Sequence, residues 1–335
     1  MPSLEVVLRA LCVSAVNTGV KLGGFLSVRI TLGQTGLQVS PLCYGTFQLT
    51  PQLWGPQPED VMLAAMRKAF DLGINFFDTA PSYGLGYGEE LLGHGLKDLP
   101  RQELVVTTKV FNHYPPDGSR YGDLSAEHIQ RECEASLRRL GLEYLDLYQC
   151  HAWDPLADPA ATAEALKSLQ RQGKIRHYGV SNWSVEQVRL GLRYGAYATH
   201  QPKYSLFDRE IEQELLPFCQ QQNLGVLVYS PLGKGLLTGK YKGTEALADY
   251  RKDRADFQGA RFQELCGRVA RLEPIASGYG LSITQLTLAV TLLHPGIHCA
   301  IVGIKTPEQI AEAAGMLGKT ISKADGFRVR EILAG

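Results

Sequence analysis

Residues 125–150 read SAEHIQRECEASLRRLGLEYLDLYQC and contain one complete structural period. Ser125 is a helix N-cap by residue type, Glu127 and His128 fall in the first turn, and Gly141 is a stop. A helix is expected over Ser125–Leu140. The apolar run that follows, Tyr144–Cys150, reads as a strand buried on both faces, the pattern of a parallel sheet.

The same alternation extends outward in both directions. Strands are expected at Leu42–Tyr44, Ile74–Asp78, Leu104–Lys109, Ile175–Val180, Ala198–Gln201, Val226–Tyr229 and Cys299–Val302. Helix-period segments lie between them: Asp60–Leu72, Ala160–Gln172 ending at Gly173, Ser184–Arg193 ending at Gly195, and Glu210–Gln222. A last one carries Pro307 in its first turn and runs to Gly315. Eight strands, each followed by a helix, call for parallel pairing with right-handed crossovers. Eight such units in about 290 residues fit a closed (β/α)8 TIM barrel of the α/β class. The rival, an open doubly wound sheet, usually carries G-x-G-x-x-G after an early strand; Gly84, Gly86 and Gly88 have the wrong spacing for it. With no composition break or linker, residues 29–335 read as one domain and residues 1–28 as a disordered or dispensable N-terminal extension. Lys240–Ala260 is polar and poor in apolar period, the mark of a long insertion on the loop face.

Composition narrows the function classes. Of 335 residues, 44% are hydrophobic and 20% charged, which excludes wholesale disorder. Lys plus Arg equals Asp plus Glu, 34 against 34, so no overall basic footprint points to nucleic acid or an anionic membrane. Seven scattered cysteines without C-x-x-C spacing argue against a disulfide framework or structural zinc site, and no metal ligands are assigned. No apolar run approaches the roughly 20 residues that span a bilayer. The first residues lack the cationic start and strong apolar core of a secretory signal, so the expected compartment is the cytoplasm.

Barrel enzymes place their chemistry at the C-terminal ends of strands. There the sequence offers Asp78, with Tyr83 just beyond it, then Lys109, His151, Ser181 with Asn182, Gln201, and Tyr229 with Ser230. Singly each has a bland explanation, such as a helix cap, a snorkelling lysine or one of fifteen tyrosines. Together they form a working set. A carbonyl that accepts hydride becomes an alkoxide and needs a proton. A free tyrosine titrates near 10, and a buried ammonium beside it favours the phenolate and lowers that value. A carboxylate holds the ammonium, and a neutral imidazole can orient the substrate oxygen.

Several stretches make the set specific: LGQTGLQVS at 32–40, FDTAPSYG at 77–84, Lys109 after the third strand, GVSN at 179–182 and SPL at 230–232. On these the chain resembles the aldo-keto reductase superfamily from Arg29 to Leu333. Its wording at Ser181-Asn182-Trp183 and Tyr229-Ser230-Pro231-Leu232 looks like the branch that holds bacterial general reductases and potassium-channel β subunits. The resemblance implies a barrel closed at the bottom by a hairpin at Arg29–Ser40, and a catalytic tetrad of Asp78, Tyr83, Lys109 and His151. It implies NADPH (NADP+ when oxidised) along the C-terminal mouth. Gly45, Thr46 and Asp78 would lie at its reactive end. Ser181, Asn182 and Gln201 would hold the carboxamide, with Tyr229 stacked on the ring. Ser230, Leu232, Gly233 and Lys240 would follow the pyrophosphate, and Gly303, Lys305, Thr306 and Gln309 the adenosine 2′-phosphate. Lys305 precedes a helix, where phosphate is favoured. Two departures, Lys305 where the family often has Arg and Ala313 where it often has Asn, leave NADH open as a cofactor.

The implied activity is reduction of a small aldehyde or ketone to an alcohol, by a monomer or homo-oligomer, with no nucleic-acid or membrane partner. The alternative is a nucleotide-sensing accessory subunit with slow or vestigial catalysis. Trp54, Tyr114, Trp153 and the Lys240–Ala260 insertion are the expected substrate-pocket walls.

Overall fold

The computed structural model describes residues 20–22, 25–115 and 118–335. Eight parallel strands close into a barrel: β1 (Leu42–Gly45), β2 (Phe76–Asp78), β3 (Val105–Val110), β4 (Leu145–Cys150), β5 (Ile175–Ser181), β6 (Thr199–Gln201), β7 (Gly225–Tyr229) and β8 (Cys299–Gly303). β8 pairs back onto β1 through Ala300 with Leu42 and Gly303 with Gly45. The principal helices are α1 (Glu59–Asp71), α2 (Tyr87–Leu96), α3 (Ala126–Leu140), α4 (Pro159–Arg171), α5 (Val185–Leu192), α6 (Leu215–Gln221), α7 (Gly259–Ala270), α8 (Ile283–Leu292), α9 (Pro307–Ala314) and α10 (Lys323–Ala334). The (β/α)8 reading holds, with strand ends within two residues of those expected.

Local chemistry explains where the elements stop. The Ser125 side chain accepts the His128 N–H at the start of α3, and Gly141 ends that helix in the left-handed region at φ 65°. The helix expected over Glu210–Gln222 is broken instead. A short 3₁₀ turn, Glu210–Glu212, precedes α6, because Pro217 is tolerated only in a first turn and the helix must restart just before it.

The bottom of the barrel is plugged as expected. Ile30–Thr31 and Gln38–Val39 pair antiparallel, and Leu32, Leu37 and Val39 pack onto Phe76, Val105, Leu147, Leu227 and Cys299. Gly33 makes this possible: a Cβ there would stand 2.2 Å from the Gly225 nitrogen. A second antiparallel pair, Val20–Leu22 with Phe25–Ser27, falls within the stretch read as a disordered extension; residues 1–19, including Cys12, lie outside the described residues. The other six cysteines are buried and unpaired. No single described helix is long and apolar enough to cross a membrane. The 240–260 insertion is less featureless than its composition suggests. Tyr241 and Phe257 pack with Leu236, Phe262, Leu265 and Cys266 into a small core of their own.

One buried charge near the bottom carries a stability prediction. Asp146 is fully buried and accepts from Arg101 at 2.7 Å, Arg176 at 3.0 Å and the Val106 N–H at 3.0 Å. Asp146→Ala leaves these donors without their acceptor. Urea denaturation should show a loss of about 2–4 kcal/mol, with Asp146→Asn less affected.

Candidate active site

Strand register assembles the C-terminal rim. Asp78 ends β2 opposite Gly45 and Thr107, and Lys109, in β3, pairs with Gln149. His151 follows β4, its N–H donating to the Val110 carbonyl at 2.9 Å. Tyr83 sits in tight turns between β2 and α2, its N–H on the Ala80 carbonyl at 3.0 Å, beside Gly84 and Gly86 with φ of 69° and 99°. Those positive φ values suit glycine and turn the chain back over the barrel mouth.

Asp78 and Tyr83 meet around the Lys109 ammonium, and His151 stands on the far side of Tyr83. Lys109 Nζ donates to both Asp78 oxygens at 2.7 and 2.9 Å, to the Thr79 carbonyl at 2.8 Å and to the Tyr83 hydroxyl at 3.3 Å. Lys109 and Asp78 are buried. The His151 ring stands edge-on to Tyr83, with centroids 6.1 Å apart. Gln201 Nε2 donates to Asp78 Oδ2 at 2.7 Å, so this amide steadies the carboxylate that holds the lysine.

Electrostatics follow from burial and charge. Burial pulls the Lys109 ammonium down, but Asp78 and Tyr83 together outweigh it and hold the group above the ordinary lysine value. Burial pushes the Tyr83 phenol up and Lys109 opposes it; the net direction is upward. This corrects the expectation of a lowered tyrosine: the ammonium offsets only part of the desolvation. His151 is pushed down to about 3 by burial, then by the charges of Lys109 and Arg120, so its imidazole is neutral at physiological pH, as expected.

Beside the tetrad lies a polar network. Ser181 Oγ donates to the Gln201 carbonyl at 2.7 Å, Asn182 Nδ2 to the His151 carbonyl at 2.9 Å, and the Tyr229 hydroxyl to Asn182 Oδ1 at 2.9 Å. Asn182 and Ser230, at the ends of β5 and β7, take φ of 58° and 60°. Such values are uncommon outside glycine and cost energy that the surrounding contacts must offset. Thr46 is fully buried, its hydroxyl on the Thr79 hydroxyl at 2.8 Å and the Asp78 carbonyl at 3.2 Å; it braces the end of β2.

A cleft of about 280 Å³ runs along the ends of β7 and β8. Of the expected cofactor residues, Ser230, Leu232, Lys240, Gly303, Lys305 and Gln309 line it. Gly233 and Thr306 do not. Thr306 caps α9, its side chain accepting the Gln309 N–H, while Gln309 Oε1 accepts the Lys305 N–H. Asp78 belongs to the tetrad, and Ser181, Asn182, Gln201 and Tyr229 are linked to it through Asp78 and the His151 carbonyl instead.

Arg251 was missed. It lines the cleft with Lys240 and Lys305, and lies in an insertion whose sequence has no periodicity to set its direction. Its guanidinium is fixed by Asp249 at 2.6 and 2.8 Å, the Lys234 carbonyl at 3.0 Å and the Tyr241 hydroxyl at 2.7 Å. Trp54 belongs here too, as a wall of this cleft. Its ring lies 4.9 Å from the Arg251 guanidinium and 5.2 Å from Lys305 Nζ, with Tyr250 edge-on at 5.0 Å. Lys305 Nζ donates to the Trp54 carbonyl at 2.9 Å. Burial lowers its pKa, with Arg251 and Lys240 adding to the effect.

Comparison with known proteins agrees with this geometry. The chain matches the model of the aldo/keto reductase family over residues 41–334. It is 34% identical to the NADH-specific methylglyoxal reductase of Escherichia coli, covering 91% of this chain and 98% of that protein. It is 33% identical to a probable voltage-gated potassium channel subunit beta of Oryza sativa, over 84% and 88%. Among solved structures, the glycerol dehydrogenase AKR11B4 of Gluconobacter oxydans superposes with a TM-score of 0.85 at 31% identity, covering 92% of this chain and 96% of that one. A closed eight-stranded barrel, a lysine bridging carboxylate and phenol at its mouth, and these matches establish that the chain belongs to the aldo/keto reductase family.

Proposed function

We propose that the protein reduces aldehydes or ketones to alcohols with NADPH, Tyr83 acting as the general acid. The observation that carries this reading is the Lys109 ammonium, in contact with both the Asp78 carboxylate and the Tyr83 hydroxyl. The cleft along the ends of β7 and β8 is read as the seat of the phosphate and adenosine portions of the cofactor, with the nicotinamide end at the tetrad. Ser181, Asn182, Gln201 and Tyr229 would hold the nicotinamide end, Ser230 and Leu232 the middle, and Lys240, Arg251 and Lys305 the phosphates of the far end. Four cations, Lys234, Lys240, Arg251 and Lys305, line one cleft; Asp249 pairs with Arg251 alone, and the surplus positive charge suits a polyphosphate. When bound, the reduced nicotinamide supplies a hydride to the carbonyl carbon. Tyr83 then gives its proton to the nascent alkoxide, and the phenolate left behind is stabilised by Lys109 until water reprotonates it. Neutral His151 donates a hydrogen bond to the carbonyl oxygen and sets its approach.

NADPH preference rests on the cation cluster, whereas the related methylglyoxal reductase is NADH-specific by name. Lys305→Ala is expected to weaken NADPH about 10-fold or more and NADH less than 2-fold, the range of one charge-assisted contact. Titration of protein fluorescence with each cofactor measures both; equal losses would place the 2′-phosphate elsewhere. Stopped-flow oxidation of NADPH in the presence of an aldehyde tests the reaction itself. A bound cofactor oxidised only over many minutes would favour the accessory-subunit reading that the channel-subunit relatives suggest.

A further inference from the structure

The loop after β3 folds back as an antiparallel pair, Asn112–His113 against Tyr121–Gly122. It stands on the segment of rim that carries Lys109 and His151. Its root is tied to the site, because the His151 N–H donates to the carbonyl of Val110, two residues before Asn112. Asn112 is buried, and Arg120 donates to its Oδ1 through Nε at 2.9 Å and Nη2 at 2.7 Å.

This mode of anchoring leaves a specific edge free. A guanidinium offers a side edge, Nε with Nη2, and an end edge, Nη1 with Nη2. The side edge of Arg120 is spent on one neutral amide oxygen, which positions the group without cancelling its charge. The end edge, two parallel N–H donors, matches the two oxygens of a carboxylate. Neighbouring acids are already engaged. Asp123 accepts from the Ser125 N–H at 2.8 Å and faces His113 Nδ1 at 3.1 Å, and Glu132 pairs with Arg139. Among the described residues no carboxylate pairs with Arg120. Of the two cations whose charge acts on His151, Lys109 is balanced by Asp78, whereas among the described residues Arg120 has no carboxylate partner.

We infer that Arg120 is a specificity residue selecting carbonyl substrates that also carry a carboxylate. This rests on the reductase reading above. A carbonyl held against Tyr83 and His151 would extend its remaining groups across the rim, where Arg120 supplies the unpaired charge. Arg120 is exposed, and its substitution releases Asn112 Oδ1 within the loop while leaving the barrel contacts in place.

The test compares 4-carboxybenzaldehyde with 4-nitrobenzaldehyde, two electron-poor aldehydes of similar size of which one is charged. Arg120→Met should lower kcat/KM for the carboxylated aldehyde 10-fold or more, mostly through KM, and change the nitro compound less than 2-fold. Arg120→Lys should recover part of the loss. In the unsubstituted enzyme, raising salt should depress the charged substrate selectively, which reads the same charge without any substitution. Equal effects of Arg120→Met on both aldehydes, or a salt response the same for both, would overturn the assignment while leaving the reductase reading intact. Reduction of neither aldehyde with either nicotinamide cofactor would remove the reductase reading and this inference with it.

Discussion

Tyr83→Phe is expected to lower aldehyde turnover by about 10²–10⁴-fold while cofactor affinity changes less than 2-fold. The magnitude is that of losing a positioned proton donor. Selectivity follows from the contacts, since the only side-chain hydrogen bond of the phenol described here is with Lys109 Nζ at 3.3 Å. Removing the hydroxyl takes away the proton but leaves the ring, which packs against Phe47 at a centroid distance of 5.2 Å. Single-turnover NADPH oxidation gives the chemical step and fluorescence titration gives affinity. Turnover equal to that of the unsubstituted protein would refute Tyr83 as the acid.

Lys109→Met should damage both activity and stability. The lysine is the hub of the site, and without it the buried Asp78 keeps Gln201 as a side-chain donor but loses its cation. An uncompensated buried carboxylate costs about 3–5 kcal/mol, so in a chain of this length the melting temperature should fall by about 4–7 °C. Pairing it with Asp78→Asn removes the orphaned charge. The double variant should recover most of the stability and none of the activity, which separates the two roles. The pH dependence has a definite sign. The folded pKa of Lys109 lies above its ordinary value, so the stabilisation is fully present below about 10.5 and is lost as pH rises through the raised folded value. A melting temperature unchanged by Lys109→Met would contradict the hub assignment.

What the chain states locally came through intact. Ser125 and Gly141 bound α3 because capping is settled by bonds among residues within one helical turn of each other. The eight strands were legible because burial on both faces leaves a continuous apolar run. Asp78, Tyr83, Lys109 and His151 could be nominated because barrel topology sends every strand end to one rim. The misreadings have equally physical origins. Pro217 broke a helix whose polar and apolar residues still looked periodic. Arg251 went unnoticed as a cleft cation because the insertion takes its direction from its own small apolar core, which no spacing reveals.

The sequence by itself thus determined the kind of residues present, the repeating βα unit and the rim on which the polar groups would gather. Tertiary structure alone decided the contacts that make those groups a site. Gln201 reaches Asp78 across 123 positions of chain, and the direction of the Tyr83 pKa depends on how much water its neighbours exclude. Hydrogen bonds within a turn are encoded by adjacent residues. Desolvation and long-range charge are sums over everything that closure of the barrel brings near, and they acquire a sign only when the chain is folded.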